Sequence, residues 1–245
     1  IDLWQNGSVQ NVWYFVNGSI KQENDDDDGD GEYIGDPDDH AIIERPCEIY
    51  DIYCIRKYFA NHAKCTIRNG PLPDPDYRTQ TNYYIPRANA SQILTEIKIT
   101  GFNQTRVEEF YINKKTNKLI IALNFRNILL DIPSTYAKFY RRGREPIVTF
   151  VTRAYVEIFF TITIIIPNAD DLQLDKAEMT AFIDAAAFLT SPTVFIPPDV
   201  QEVQSFVSVL ANFPAISNEI AMSESYYYGS TYIQSNICDF GLKVF

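Results

Sequence analysis

Few residues in this chain carry distinctive side-chain chemistry. There are four cysteines, Cys47, Cys54, Cys65 and Cys238, and two histidines, His40 and His62. Thiols can ligate a metal, act as nucleophiles or form disulfides. Structural metal and redox sites favour Cys-x-x-Cys pairs. None occurs here; the spacing is Cys-x6-Cys-x10-Cys, with the fourth cysteine seven residues from the C-terminus. No His-x-x-x-His, Gly-x-Ser-x-Gly or phosphate-loop pattern is present, so a metallohydrolase centre or a Ser-His-acid site is hard to assemble. Glu108 and Glu109 are adjacent and on a strand would point to opposite faces, which makes a poor acid/base pair. Asp26, Asp28, Asp30 and Gly31 fit the first half of an EF-hand loop, but Pro37 stands where the bidentate glutamate belongs. The chain is read as having no catalytic residue, no metal site and no cofactor, and as not being an enzyme.

Other patterns point to a secretory route. Asn-x-Ser/Thr sequons occur at Asn6, Asn17, Asn89 and Asn103. Four sequons with four cysteines in a non-motif arrangement favour disulfides in an oxidising compartment. The chain does not start with Met, which is read as a removed signal peptide. No run approaches the roughly 20 apolar residues of a membrane span. Three disulfide pairings are open in principle. Cys47 and Cys54 within one continuous helix would stand about 10 Å apart, beyond the roughly 7 Å limit for bridged Cα atoms. If they pair, Cys47 must lie outside the helix and fold back on its first turn. If Cys238 pairs back to 45–65, one bridge closes nearly the whole body into a loop.

The elements that would hold these residues follow from composition and periodicity. The chain has 245 residues, 46% hydrophobic, with 16 Tyr and 16 Phe, which favours strands over helices. Net charge is −11, concentrated in 21–44, where eleven Asp/Glu face one Lys. The remainder is near neutral and offers no basic face for nucleic acid. Residues 1–44 are read as an acidic, glycosylated N-terminal arm, and 45–245 as a single disulfide-stapled α+β domain. In the arm, two Asn-Gly turn signals with apolar flanks suggest short strands or hairpins, and 25–31 reads as a solvated linker.

Ile49, Ile52, Ile55, Phe59 and Ala63 recur at helical steps behind a candidate N-cap, Asp51. Residues 71–90, rich in Pro and Tyr, read as an irregular connection. Strands are expected from Ile93, over 106–113 and over 118–132, the last two joined as a hairpin by 114–117. A turn at 141–146 leads into a strand of nearly 20 residues, 147–166. One face of it carries Val148, Phe150, Ala154, Val156, Ile158, Phe160, Ile162 and Ile164. Such length against the usual 3–10 residues implies a rolled sheet. Residues 175–189 read as a helix, with a strand over 180–188 as alternative. A helix starting at Pro197, striped by Val200, Val203, Phe206, Val207 and Leu210 and stopped by Pro214, is expected to lie in the sheet. An aromatic turn at 226–229 and a last strand over 232–240 complete the reading.

Three blocks resemble a known family. Arg45-Pro-Cys47, Asp51, Cys54-Ile55, Ala60 and Lys64-Cys65 are similar to the opening of the moth silk fibrohexamerins. Arg106-Val107, Glu109-Phe110-Tyr111, Asn113, Thr116 and Lys118 resemble that family's middle motif, and 237–241 (Ile-Cys-Asp-Phe-Gly) its last. The opening, the Pro-rich stretch and the long strands more distantly resemble takeout and juvenile-hormone-binding proteins. That likeness implies a TULIP-like fold, a long curved antiparallel sheet rolled around a helix, with an apolar tunnel. The family has further cysteines near 105, 125, 179 and 242, where this chain has Thr105, Phe125, Met179 and Leu242. Loss of whole pairs would leave Cys47–Cys54 and Cys65–Cys238.

The resemblance implies a secreted, non-enzymatic glycoprotein of the silk gland lumen and fibre that associates with fibroin chains and assists their assembly and secretion. Self-association through the apolar arm is a further expectation. The rival expectation is a carrier of an apolar small molecule or lipid in a takeout-like tunnel. Phe150, Phe160 and Phe206 are the bulky residues expected to fill that tunnel instead.

Overall fold

The computed structural model describes residues 42–190, 194–195 and 213–244. Helix α1 spans Ile52–His62, and Asp51 caps it by accepting a hydrogen bond from the Cys54 N–H at 2.9 Å. Its inward residues Ile55 and Phe59 are fully buried. The strands are β1 (Ile43–Glu44), β2 (Thr66–Ile67), β3 (Asp76–Ile85), β4 (Ala90–Thr100), β5 (Arg106–Asn113), β6 (Lys118–Ile132), β7 (Ser134–Arg141), β8 (Arg144–Val151), β9 (Ala154–Pro167), β10 (Glu178–Thr190), β11 (Val194–Phe195) and β12 (Cys238–Asp239). Helix α2 runs Phe213–Tyr232 and continues into a π turn, Ile233–Ile237.

Among the described residues every strand pair is antiparallel, and one isolated parallel bridge joins Ala63 to Leu172. The main path is β3–β4–β6–β9–β10, and β5 flanks the first half of β6. Strand β4 changes partner along its length. Residues 90–95 pair with β7, and 98–100 pair with β6. Strand β6 changes likewise, from β5 to β4. Each change falls at a left-handed residue, Glu96 (φ +55°) in β4 and Asn127 (φ +54°) in β6. The Asn127 position also coincides with a bulge, which bends and twists the sheet. Gly101, at φ +105°, closes this corner; a Cβ there would stand 2.3 Å from the Asn127 carbonyl oxygen.

The curvature brings the two ends of the main path onto one helix. Along β10, Asn218 accepts from the Ile183 N–H at 3.0 Å, and the Ser225 hydroxyl donates to the Met179 carbonyl at 3.2 Å. Along β3, Glu224 pairs with Arg78, and the Tyr227 hydroxyl donates to Asp76. Helix α2 thus satisfies backbone groups on one free edge and side chains on the other, and the α+β architecture is a rolled antiparallel sheet against a helix.

Several local expectations are corrected. Residues 76–85 form β3 rather than an irregular link; Pro75 and Pro86 bound the strand without interrupting it. Residues 134–141 form a strand, β7, that the sequence reading did not pick out. The stretch 147–166 is two strands broken at Thr152–Arg153, and the break changes parity. In β8 the buried residues are Ile147, Thr149 and Val151, whereas Val148 and Phe150 face outward; β9 keeps the expected face, Ala154 to Ile164.

Residues 178–190 are a strand, the alternative reading, because pairing with β9 outweighs their Ala-rich helical propensity. Residues 226–229 lie inside α2, not in a turn. Residues 227–233 are buried without a break, and a helix buried all round shows no apolar stripe. Pro214 lies in the first turn of α2 and stops nothing, a position that suits proline. The expected last strand shrinks to β12, which pairs with β2. The expected helix starting at Pro197, with Phe206, lies outside the described residues.

Candidate functional site

The cysteines bind the ends of the fold together. Cys47 precedes α1 and is bonded to Cys54 in its first turn, with Cα atoms 5.7 Å apart. Cys65, just past α1, is bonded to Cys238, with Cα atoms 5.6 Å apart. Between the bridges, Arg56 donates to the Asn236 carbonyl at 2.7 Å and to its side chain at 2.8 Å, so α1 also grips the π turn. Arg68 and Asp239 pair at 2.6 Å beside the second bridge, and this guanidinium holds the Asp239 carboxyl below the usual carboxylate range.

The other sequence-singled residues are scattered. His62 stacks on Tyr58 at 4.1 Å, with its Nδ1 2.8 Å from the Tyr58 carbonyl. Burial, then the charge of Asp170, pushes the Tyr58 phenol up to about 12. Glu108 pairs with Arg126 at 3.1 Å and Glu109 with Arg45 at 2.8 Å. Among the described residues no three of His, Cys, Asp or Glu converge to hold a metal. Asn89 and Asn103 are exposed. His40, Asn6, Asn17 and the acidic residues at 25–31 lie outside the described residues.

Sequence reading missed the seam between β3 and α2. Arg78 and Glu224 are each about nine-tenths buried as side chains (10% and 11% exposed). The guanidinium also lies 4.0 Å from the centre of the Tyr227 ring and donates to Thr81 at 3.0 Å. Burial alone would lower the Arg78 pKa, but the charge and hydrogen bond of Glu224 outweigh it and the net shift is upward. Burial pushes the Tyr83 and Tyr228 phenols up, helped by Glu224 for Tyr83 and by Tyr83 for Tyr228. Asp76 is raised by burial against the opposing Tyr77 N–H and Arg78 charge. A cleft of about 230 Å³ opens over this seam, lined by Asp76, Arg78, Gln80, Tyr227, Thr231 and Val244 among others. Arg78 and Glu224 stand 146 residues apart in the chain, on β3 and α2, and no local spacing signals them.

Inside the roll, the space against α2 is filled with rings. Phe125 and Phe160 stack at 4.7 Å, Tyr228 meets Phe160 edge-on at 5.0 Å, and Phe102 stacks on Tyr228 at 5.5 Å. Phe102, Phe125 and Phe160 are at most 1% exposed, and Tyr232 completes the cluster at 3%. Phe160 fills the interior as expected. Phe150 does not, lying on the outer face against Tyr136 at 5.6 Å.

Outside, β3, β7 and β8 expose Tyr77, Tyr84, Tyr136, Tyr140, Val148 and Phe150.

These features define a disulfide-stapled α+β protein whose sheet is rolled onto a helix across an aromatic core. Residues 43–242 match the family described as Fibroin P25, and the chain belongs to that family. It is 25% identical over 203 residues to Fibrohexamerin of Galleria mellonella, covering 82% of this chain and 90% of that protein. Among solved structures it is similar to Takeout 1 of Epiphyas postvittana, with a TM-score of 0.40 and 11% identity, over 78% of this chain and 93% of that one. The family is silk-associated, and no helix among the described residues is long and apolar enough to cross a membrane.

Proposed function

We propose that this chain is a secreted, non-enzymatic silk glycoprotein that associates with fibroin chains and assists their assembly and secretion in the silk gland lumen. The observation that carries the reading is the filled interior. Phe102, Phe125, Phe160, Tyr228 and Tyr232 pack between sheet and α2, and this packing of the described residues supports a role through outer surfaces over one as a carrier. Family membership supplies the silk context. In this reading the disulfides hold the body together in an oxidising compartment, and Asn6, Asn17, Asn89 and Asn103 carry N-glycans.

Residues 1–44 act as an acidic arm on a body formed by 45–245. Mutual repulsion of the acidic run keeps concentrated protein soluble, while the apolar residues near Trp4 and Trp13 add contact surface. The test is pull-down of fibroin chains by the full chain and by a form lacking residues 1–41, which keeps β1 on the edge of β5. Loss of capture on truncation is expected; undiminished capture removes the arm from the mechanism. Native mass spectrometry of the purified protein addresses the rival carrier reading: a reproducible lipid-sized adduct would overturn the assembly reading.

A further inference from the structure

The sequon at Asn89 sits inside an exposed aromatic surface. Asn89 ends the tight turn Pro86–Ala88 between β3 and β4, at φ +46°, a conformation asparagine tolerates. Its backbone is fixed: the N–H donates to Pro86 at 3.1 Å, and the carbonyl accepts from the Tyr140 N–H at 2.9 Å. Its side chain is fixed too. Oδ1 accepts from the Tyr84 hydroxyl at 3.0 Å, and Nδ2 donates to the Tyr140 carbonyl at 2.9 Å. An amide nitrogen has two N–H bonds. Among the described residues only one is used, and a sugar carbon replaces a single hydrogen, so a glycosylated amide keeps one N–H donor and its accepting oxygen.

The surroundings suit a sugar. The Tyr84 and Tyr140 rings lie 6.2 Å apart, tilted by 57°, and are 57% and 38% exposed. Pairing places Tyr84 beside Ser91, Ser91 beside Lys138, and Lys138 beside Val148, itself 57% exposed. The Ser91 hydroxyl meets the Tyr140 hydroxyl at 3.0 Å, and the Lys138 ammonium stands 5.7 Å from the Tyr140 ring. A pyranose has an apolar C–H face that stacks on the electron-rich face of a phenol ring, and hydroxyls that pair with Ser, Tyr and Lys. Asn103 differs: its neighbour Phe102 is fully buried and offers no exposed ring.

We propose that the first N-acetylglucosamine residues of an Asn89 glycan lie on the Tyr84–Tyr140 pair, so that this aromatic surface is a seat for the chain's own carbohydrate. The proposal rests on the reading of the chain as a secreted glycoprotein.

The test uses the full chain secreted from cultured insect cells. Glycopeptide mass spectrometry reports occupancy of Asn89. Hydroxyl-radical footprinting then compares the native glycoprotein with the chain after glycan removal by a peptide N-glycosidase, which leaves Asp at 89, and, to control for that change, with the chain made without glycans in a bacterial periplasm, where Asn89 stays an amide. Tyr84 and Tyr140 are expected to be labelled about threefold to tenfold more after removal, the range that one ring-stacking contact supports. Tyr53, exposed on α1, is expected to be unchanged. In the Tyr84→Ser/Tyr140→Ser form, a peptide N-glycosidase is expected to release the Asn89 glycan faster by a similar factor, with Asn103 unaffected. An unmodified Asn89 overturns both the seat and the glycoprotein reading at this site. An occupied Asn89 with equal labelling of the two tyrosines overturns the seat alone.

Discussion

The guanidinium of Arg78, on β3, is held by the carboxylate of Glu224, on α2, with both side chains about nine-tenths buried. The pair joins one free end of the main strand path to the helix that also borders its other end, β10. Breaking a buried pair leaves one charge uncompensated in a low-dielectric interior, which typically costs about 3–5 kcal/mol. Arg78→Ala and Glu224→Ala are each expected to lose about that much in urea unfolding. Replacing both by apolar residues of similar volume is expected to recover most of it. A loss below about 1 kcal/mol for either single change would mean that the seam does not hold the roll closed.

Acid and neutral pH should act differently on carboxylates of this fold. Asp76 is raised above the ordinary aspartate value by burial. A raised folded value means that its stabilising contribution is complete below the unfolded value and is lost as pH rises through the folded one. Asp76→Asn removes that loss, so the melting temperature of this variant relative to wild type should climb from about pH 4 to about pH 7. Asp239 is the opposite case, lowered by the Arg68 hydrogen bond. Its contribution is present above the unfolded value and disappears as pH falls through the folded one. Asp239→Asn should therefore cost stability at neutral pH and little in strong acid. The Arg68 side chain is half exposed (53%), so screening keeps this second effect small. Parallel pH profiles for wild type and both variants would refute the assignment.

The two disulfides should differ in weight because they close loops of different length. Cys47–Cys54 spans a sequence separation of 7 and Cys65–Cys238 one of 173. On loop-closure entropy, these correspond to about 2 and about 5 kcal/mol of destabilised unfolded chain. Cys47→Ser/Cys54→Ser is expected to remain folded with a lowered melting temperature. Cys65→Ser/Cys238→Ser is expected to lose about twice as much and to free the π turn from the end of α1. Hydrogen exchange at residues 233–239 reads the second effect directly. Equal losses for the two double variants would show that local packing, rather than loop length, sets the contribution of each bridge.

What was legible in the sequence was what short-range rules control. Asp51 at the head of α1, the spacing of Ile55 and Phe59, the hairpin through 114–117 and the even-numbered face of β9 all depend on residues within a few positions of one another. A rolled sheet was legible too, from strands too long to stay flat. The readings that failed were those in which distant partners decide. An Ala-rich stretch became β10 because β9 supplied its hydrogen bonds, and Tyr226–Gly229 became helix because packing in the fold buries Tyr227, Tyr228 and Gly229.

The cysteine spacing by itself required Cys47 to leave the helix if it paired with Cys54, since helical rise fixes that distance. Only the tertiary structure set Arg78 against Glu224, filled the roll with Phe125, Phe160 and Tyr228, and turned Phe150 outward. Those contacts follow from where the sheet bends, at Glu96, Asn127 and Gly101. The closing of a curved sheet on its helix is a cooperative outcome of many long-range pairings, and no window along the chain contains it.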